Sequence, residues 1–172
     1  MKFTLVPDYI FDKFDDISVD FLLANEIKAV ILDIDNTLEP YENATPGERV
    51  KLWLSSLAEN GISCAFVSNN NEQRVSAFNA ELGLPAFYKA GKPFAKNILK
   101  AMDTLGAAPK NTLMLGDQIL TDVWAARNAG ITACLVPPIK DKTDVFTKFK
   151  RLLEKPILKK YRKIHSTEAS DE

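Results

Sequence analysis

Residues 29–38, AVILDIDNTL, constrain this chain more than any other stretch. Four apolar residues run straight into two aspartates separated by one residue, with Asn36 and Thr37 behind them. An apolar run without polar alternation reads as a strand of a parallel sheet, buried on both faces. Side chains alternate along a strand, so Asp33 and Asp35 point to the same side if strand geometry continues through them. Two carboxylates where a buried strand ends are costly to leave unpaired. A divalent cation removes that cost and turns the pair into a reactive site.

The same pattern recurs along the chain. Strand patterns cover residues 28–33, 62–67, 84–88, 112–115 and 131–136. Helical patterns cover residues 46–60, 72–82, 93–105 and 119–129, most of them stopped by glycine. Pro93 suits a first helical turn. The alternation β-α-β-α-β-α-β-α-β predicts an α/β, three-layer, Rossmann-like fold with a parallel sheet and helices on both faces. In such sheets the site lies beyond the carboxyl ends of the strands, and each polar cluster falls there: Asp33 with Asp35, Ser68, Lys92 and Asp117. Before this core, residues 1–27 read as short helical turns packed on it, with Ser18 as a cap. The core proper is expected over residues 28–139. Residues 140–155 follow as a helix that Pro156 breaks, and residues 156–172 as a flexible tail, basic and then acidic.

Composition narrows the chemistry. At 172 residues, 46% hydrophobic and 26% charged, the chain suits a soluble globular domain with a real core. Its net charge of −1 gives no global pull toward nucleic acid. The single histidine, His165, lies in the C-terminal segment, which sets aside Ser-His-Asp and Cys-His catalysis and histidine-rich metal sites. Neither a Gly-x-x-x-x-Gly-Lys-Ser/Thr loop nor a Gly-x-Gly-x-x-Gly turn is present. Cys64 and Cys134 sit inside separate apolar runs and read as buried thiols, which fits a reducing, cytoplasmic setting. The start carries no uninterrupted apolar segment of the signal-peptide kind, and no run reaches the ~18 apolar residues of a membrane span. Chemistry must rest on carboxylates, hydroxyls and lysines.

Four strand-end motifs occur in order: DIDNT, VSNN, GKP and GDQILTD. Together they resemble the haloacid dehalogenase-like (HAD) phosphohydrolases, and the finer pattern, NEIKAVILDIDNTL with GDQxxTD, looks like the YqeG-type branch of the small type III phosphatases, related to phosphatidylglycerophosphate phosphatases. The resemblance implies a Mg²⁺-dependent phosphatase that hydrolyses a phosphomonoester through an aspartyl-phosphate. Asp33 would be the nucleophile, made effective by alignment in a dry site. Asp35 would protonate the leaving alcohol and then activate water, so it must start protonated. Ser68, with Asn69 as a weaker candidate and nearby backbone N–H groups, would bind the phosphoryl oxygens. Lys92 would neutralise the phosphoryl group and hold Asp33 in place. Asp33, the backbone carbonyl of Asp35, and Asp117 would hold the metal, with Asp122 acting through water or holding Lys92. Asn36 and Thr37 would fix the loop by side-chain to backbone bonds, and Gly116 would permit a tight turn. Taken singly these residues have plainer readings: Ser68 a turn residue, Lys92 one of three nearby lysines, Asp122 an acid in a helical first turn.

The gaps between motifs speak to the substrate. Residues 37–68 and 68–92 leave no room for an inserted cap domain, so the site is expected to be open to a bulky phosphorylated substrate or to a covering neighbour. Residues 140–163 carry ten basic residues against three acids. Such a basic amphipathic segment suits packing on the sheet, peripheral contact with an anionic inner-membrane face, or RNA. A phosphorylated lipid headgroup such as phosphatidylglycerophosphate is the favoured substrate. A nucleotide, a sugar phosphate or a polynucleotide end, or a non-catalytic RNA- or ribosome-associated role on the same scaffold, stays open.

Overall fold

The computed structural model describes residues 4–140 and the helix Val145–Glu168. Six strands pair in parallel: β1 (Tyr9–Ile10), β2 (Ala29–Leu32), β3 (Ser63–Val67), β4 (Ala86–Phe87), β5 (Thr112–Gly116) and β6 (Thr132–Leu135). Their spatial order is β1-β6-β5-β2-β3-β4, which puts the apolar run of residues 29–32 at the centre. All four residues of β2 are buried, and Leu32 lies beside Phe66 of β3 and Leu115 of β5. A register slip of one residue would draw Asp33 into the apolar layer, so the aspartate itself helps to pin the strand.

Helices cover both faces: α1 (Val19–Ala24), α2 (Glu48–Glu59), α3 (Glu72–Asn79), α4 (Lys96–Thr104), α5 (Trp124–Ala129) and α6 (Val145–Glu168). The strand period of two divides the core accordingly. Val30 and Leu32 join Trp53, Leu57 and Phe78 from α2 and α3. Ile31 joins Ile98 and Met102 of α4 and Ala126 of α5, with Ile157 and Leu158 of α6 packed alongside. This is why β2 had to be apolar on both sides. The connections 38–67 and 69–91 carry α2 with β3 and α3 with β4, and no inserted domain.

Several expectations shift. The N-terminal segment supplies an edge strand as well as helical turns. Asp8 accepts the Ala133 N–H at 2.7 Å and an Arg127 bond at 2.8 Å, which lays Tyr9–Ile10 against β6. A two-residue strand held at the sheet edge by a half-exposed aspartate and backbone bonds leaves no periodic trace. Ser18 does cap α1, accepting from the Phe21 N–H at 3.1 Å. Helix α4 starts at Lys96 and not at Pro93, because Gly91 and Phe94 first close a turn through a 2.9 Å backbone bond. Residues Ile119–Val123 form a π-helical turn leading into α5.

The largest correction concerns the C-terminus: α6 passes through Pro156 without a break, so residues 156–168 are helix and not a flexible tail. Proline deprives the Leu152 carbonyl of its helical partner, but Leu152 is 58% exposed, so water can take that place. On the inner side, Glu154, Ile157, Leu158 and Tyr161 anchor the helix before and after the proline, Tyr161 Oη accepting the Ile10 N–H at 3.2 Å. Residues 141–144 of the expected helix 140–155, and residues 169–172 with Asp171 and Glu172, lie outside the described residues. Among the described residues no helix is long and apolar enough to cross a membrane.

Candidate active site

The ends of β2, β3 and β5, with the loop after β4, converge on one cleft of about 280 Å³, lined by Asp33, Asp35, Ser68, Asn69, Asn70, Lys92, Gln118, Thr121 and Asp122. At its floor lies a buried charge cluster. Lys92 Nζ donates to Asp33 Oδ1 and to Asp122 Oδ1, both at 2.6 Å, and its side chain is 2% exposed. Burial pushes the Asp33 carboxyl up to about 6 against the pull of Lys92, with repulsion from Asp122 and Asp35 adding to the rise. Burial works against the charge of Lys92, yet Asp122 and Asp33 outweigh it and keep the lysine protonated above its ordinary range.

The backbone of this floor is tightly specified. Asp33 N–H donates to Leu115 C=O at 2.9 Å, tying the two strand ends together. Asp122 Oδ2 accepts the Gln118 N–H at 3.0 Å, so both of its oxygens are engaged and it holds Lys92. A Cβ on Gly116 would fall inside the Asp122 side chain. Close approach, not a tight turn, is therefore what demands glycine there. Asn36 adopts φ 65°, a left-handed conformation that asparagine tolerates, and its N–H reaches Glu39 C=O at 2.7 Å. Thr37 does not brace the backbone through its side chain as expected. Its Oγ1 lies 3.3 Å from Asp33 Oδ2 and 3.4 Å from Asp117 Oδ1, one hydroxyl proton between two carboxylates.

Asp35 is placed differently. Its carboxylate accepts from Arg74 Nε at 3.0 Å and from Asn70 Nδ2 at 2.9 Å. Arg74 is itself held by the Ala44 carbonyl and lies over the rings of Tyr41 and Phe78. Sequence reasoning missed Asn70 and Arg74. The polar run after β3 distributes four tasks over consecutive residues. Ser68 Oγ, at the cleft, accepts the Asn70 N–H at 3.1 Å. Asn69 uses both ends of its amide on the Lys92 backbone, accepting its N–H at 2.8 Å and donating to its C=O at 3.1 Å, so it positions the lysine loop, and one Nδ2 proton is left over beside the cleft. Asn70 holds Asp35, and Asn71 caps α3 by accepting the Arg74 N–H at 2.9 Å. That cap sets the start of the helix that delivers Arg74.

Asp33, Asp117 and Asp122 each offer an oxygen within 4.8 Å of the others. Three buried carboxylates against one ammonium leave excess negative charge, and an all-oxygen donor set suits a hard divalent cation. These residues fit a metal of the magnesium kind. The Asp35 side chain stands outside the trio.

Known proteins resemble this chain in sequence and in fold. A family model described as "HAD-hyrolase-like" matches residues 89–148. Over 160 residues the chain is 36% identical to "Probable phosphatase YqeG" of Bacillus subtilis (strain 168), an alignment that covers 92% of each protein. Among solved structures, the cobalt-bound deoxy-D-mannose-octulosonate 8-phosphate phosphatase of Haemophilus influenzae superposes with a TM-score of 0.53 over 75% of this chain and 77% of its own, at 22% identity. CbbY of Rhodobacter sphaeroides does so with 0.55 over 70% and 90%, at 14% identity. Those two structures share the fold. The chain belongs to the HAD superfamily of phosphatases, in its YqeG-type family.

Proposed function

We propose that this phosphatase hydrolyses a phosphomonoester in a Mg²⁺-dependent reaction through a phosphoryl group carried on Asp33. The observation that supports this most is the buried cluster of Asp33, Lys92, Asp117 and Asp122 at the strand ends. Asp33 attacks phosphorus, and the ester oxygen leaves with a proton from Asp35. Asp35, now ionised, takes a proton from water as the water attacks the aspartyl-phosphate, regenerating Asp33 and releasing phosphate. For the first step Asp35 must turn from Arg74 toward the ester oxygen; for the second step Arg74 and Asn70 hold its carboxylate in place for the water. Ser68 and Lys92 bind the phosphoryl oxygens, and the fixed donors cost no reorganisation as charge develops. Asp33, the Asp35 backbone carbonyl and Asp117 would hold Mg²⁺, which when bound neutralises charge on the phosphoryl group; Asp122 keeps Lys92 in place.

For the substrate we favour a phosphorylated lipid headgroup such as phosphatidylglycerophosphate, met at the cytoplasmic face of the membrane. The uncapped cleft supports a bulky substrate. The outer face of α6, with exposed Leu152, Leu153 and Ile164 among Lys155, Lys159, Lys160 and Arg162, supports contact with an anionic surface. Phosphate release from an aryl phosphate, with Mg²⁺ and with chelator, tests the reaction in wild type and Asp33→Asn. Metal-dependent release in wild type alone is expected, and equal rates in the two proteins would remove Asp33 as nucleophile. A parallel screen of phosphatidylglycerophosphate in vesicles against soluble sugar phosphates and nucleotides tests the substrate. A strong preference for a soluble ester would sink the lipid reading.

A further inference from the structure

Between Leu152 and Ile164 the chain has one acid, Glu154, in a segment otherwise apolar or basic. While its neighbours Leu152, Leu153 and Lys155 are exposed, Glu154 is buried, at 8% exposure. Its Oε1 accepts the Ile119 N–H at 2.8 Å and the Leu120 N–H at 3.3 Å, 35 and 34 residues away in sequence. These N–H groups open the π-helical turn Ile119–Val123, whose own leading residue, Gln118, makes no side-chain cap. The first donors of a helical turn have no partner within it and carry partial positive charge, so a carboxylate from another element is suited to them.

What this turn carries is the acidic half of the site. Gly116 and Asp117 lead into it, and Asp122 lies within it. From Glu154 an unbroken series of short contacts runs to the nucleophile: Glu154 to the N–H groups of residues 119 and 120, Asp122 back to the Gln118 N–H at 3.0 Å, Asp122 to Lys92 at 2.6 Å, and Lys92 to Asp33 at 2.6 Å. Gly116 lies too close to the Asp122 side chain for a Cβ to fit between them. A shift of residues 118–120 moves the Gln118 N–H that Asp122 accepts.

We infer that Glu154 is a positioning residue of the catalytic centre, and that α6 is a working wall of the site through it. Glu154 fixes the path of residues 117–122 and so the separation of Asp117 and Asp122 from Asp33. The inference rests on the reading of Asp117 and Asp122 given under Proposed function. None of the four sequence motifs contains Glu154. It acts from a helix that lies after the core, and what it reaches on the turn are backbone N–H groups, so it leaves no mark on motif spacing.

The test uses the full chain. Mg²⁺ titrations of aryl phosphate hydrolysis are run on wild type, Glu154→Ala and Glu154→Gln, together with amide hydrogen exchange at Ile119 and Leu120 in the absence of metal and substrate. Groups that support metal ligands from outside typically alter metal affinity or activity by about 10–100-fold when lost. Glu154→Ala is expected to raise the half-saturating Mg²⁺ concentration about tenfold, to lower kcat with less change in KM, and to speed exchange at both amides. Glu154→Gln keeps an accepting oxygen and is expected within about threefold of wild type. If Glu154→Ala does not fold, Glu154→Asp, which withdraws the oxygens by one methylene, takes its place with the same expectation. A metal midpoint within about twofold of wild type for Glu154→Ala, or a Glu154→Gln variant as impaired as Glu154→Ala, overturns the inference. If wild type itself shows no Mg²⁺-dependent release, the proposed function fails, and exchange at the two amides alone decides whether Glu154 holds the turn.

Discussion

Asp33 and Asp35 stand two positions apart on one strand end and keep different company. Asp33 lies in a buried nest with Lys92, Thr37, Asp117 and Asp122, built from the ends of β2 and β5 and the loop after β4. Asp35 lies at the rim, held by Asn70 and Arg74 from the β3–α3 side. One side of the cleft concentrates like charges around a single lysine; the other gives one carboxylate a cation and an amide of its own. Identical side chains thus stand in different surroundings, and the roles proposed for them follow that difference. The nest suits a nucleophile that must stay put beside a metal. The rim suits a group that has to give up a proton and take one back.

Each side of that contrast can be attacked separately. Lys92→Ala strikes the nest, leaving Asp33 and Asp122 without their shared cation and removing a donor to the phosphoryl group. Turnover should fall roughly 10²–10³-fold, measured as kcat on an aryl phosphate. A fall below tenfold would mean that the nest is scaffolding and that the phosphoryl group is held elsewhere.

Arg74→Ala strikes the rim and should act more mildly. A hydrogen bond to a charged group contributes roughly 1.5–3 kcal/mol, so an effect on kcat of about 10–150-fold is expected. If Asp35 activates the water, its placement by Arg74 matters most for breakdown of the phosphoryl-enzyme, which should slow more than its formation, lowering kcat while kcat/KM changes little. Equal losses in both parameters would show that Arg74 serves substrate binding instead. Asn70→Ala removes the neutral partner of the same carboxylate, at roughly 1 kcal/mol, so the same kcat assay should record a loss of about fivefold with the same kinetic split. An effect exceeding that of Arg74→Ala would reverse the order of importance at the rim.

The nest was far more legible in the sequence than the rim. An apolar strand that ends in Asp-x-Asp announces itself, and β2, β3, β5 and β6 follow from apolar runs that need no tertiary information. Lys92, Asp117 and Asp122 could be anticipated because they belong to motifs at strand ends. Arg74 could not, because it lies in the first turn of α3 and an arginine there looks like any solvated helix residue. The three asparagines after Ser68 read as a turn, and nothing in their spacing says that the first holds the lysine loop, the second Asp35 and the third the helix. The passage of α6 through Pro156 was hidden for a related reason: local propensity predicts a break, while contacts from Glu154, Ile157, Leu158 and Tyr161 on both sides of the proline keep the helix on the core. Glu154 itself shows the limit, being an acid that reaches two backbone N–H groups on a distant turn.

The division between the two aspartates is tested most directly by trapping the phosphoryl-enzyme. Wild type, Asp33→Asn and Asp35→Asn are mixed with an aryl phosphate and Mg²⁺, quenched in acid, and their peptides examined by mass spectrometry. An aryl leaving group needs little help from an acid, so Asp35→Asn should still be phosphorylated but hydrolyse slowly, and the phosphoryl group should accumulate on Asp33. Asp33→Asn should carry none. Phosphorylation of Asp33→Asn, or an Asp35→Asn protein that turns over at the wild-type rate with no trapped phosphoryl group, would contradict the assignment of nucleophile to the nest and proton transfer to the rim.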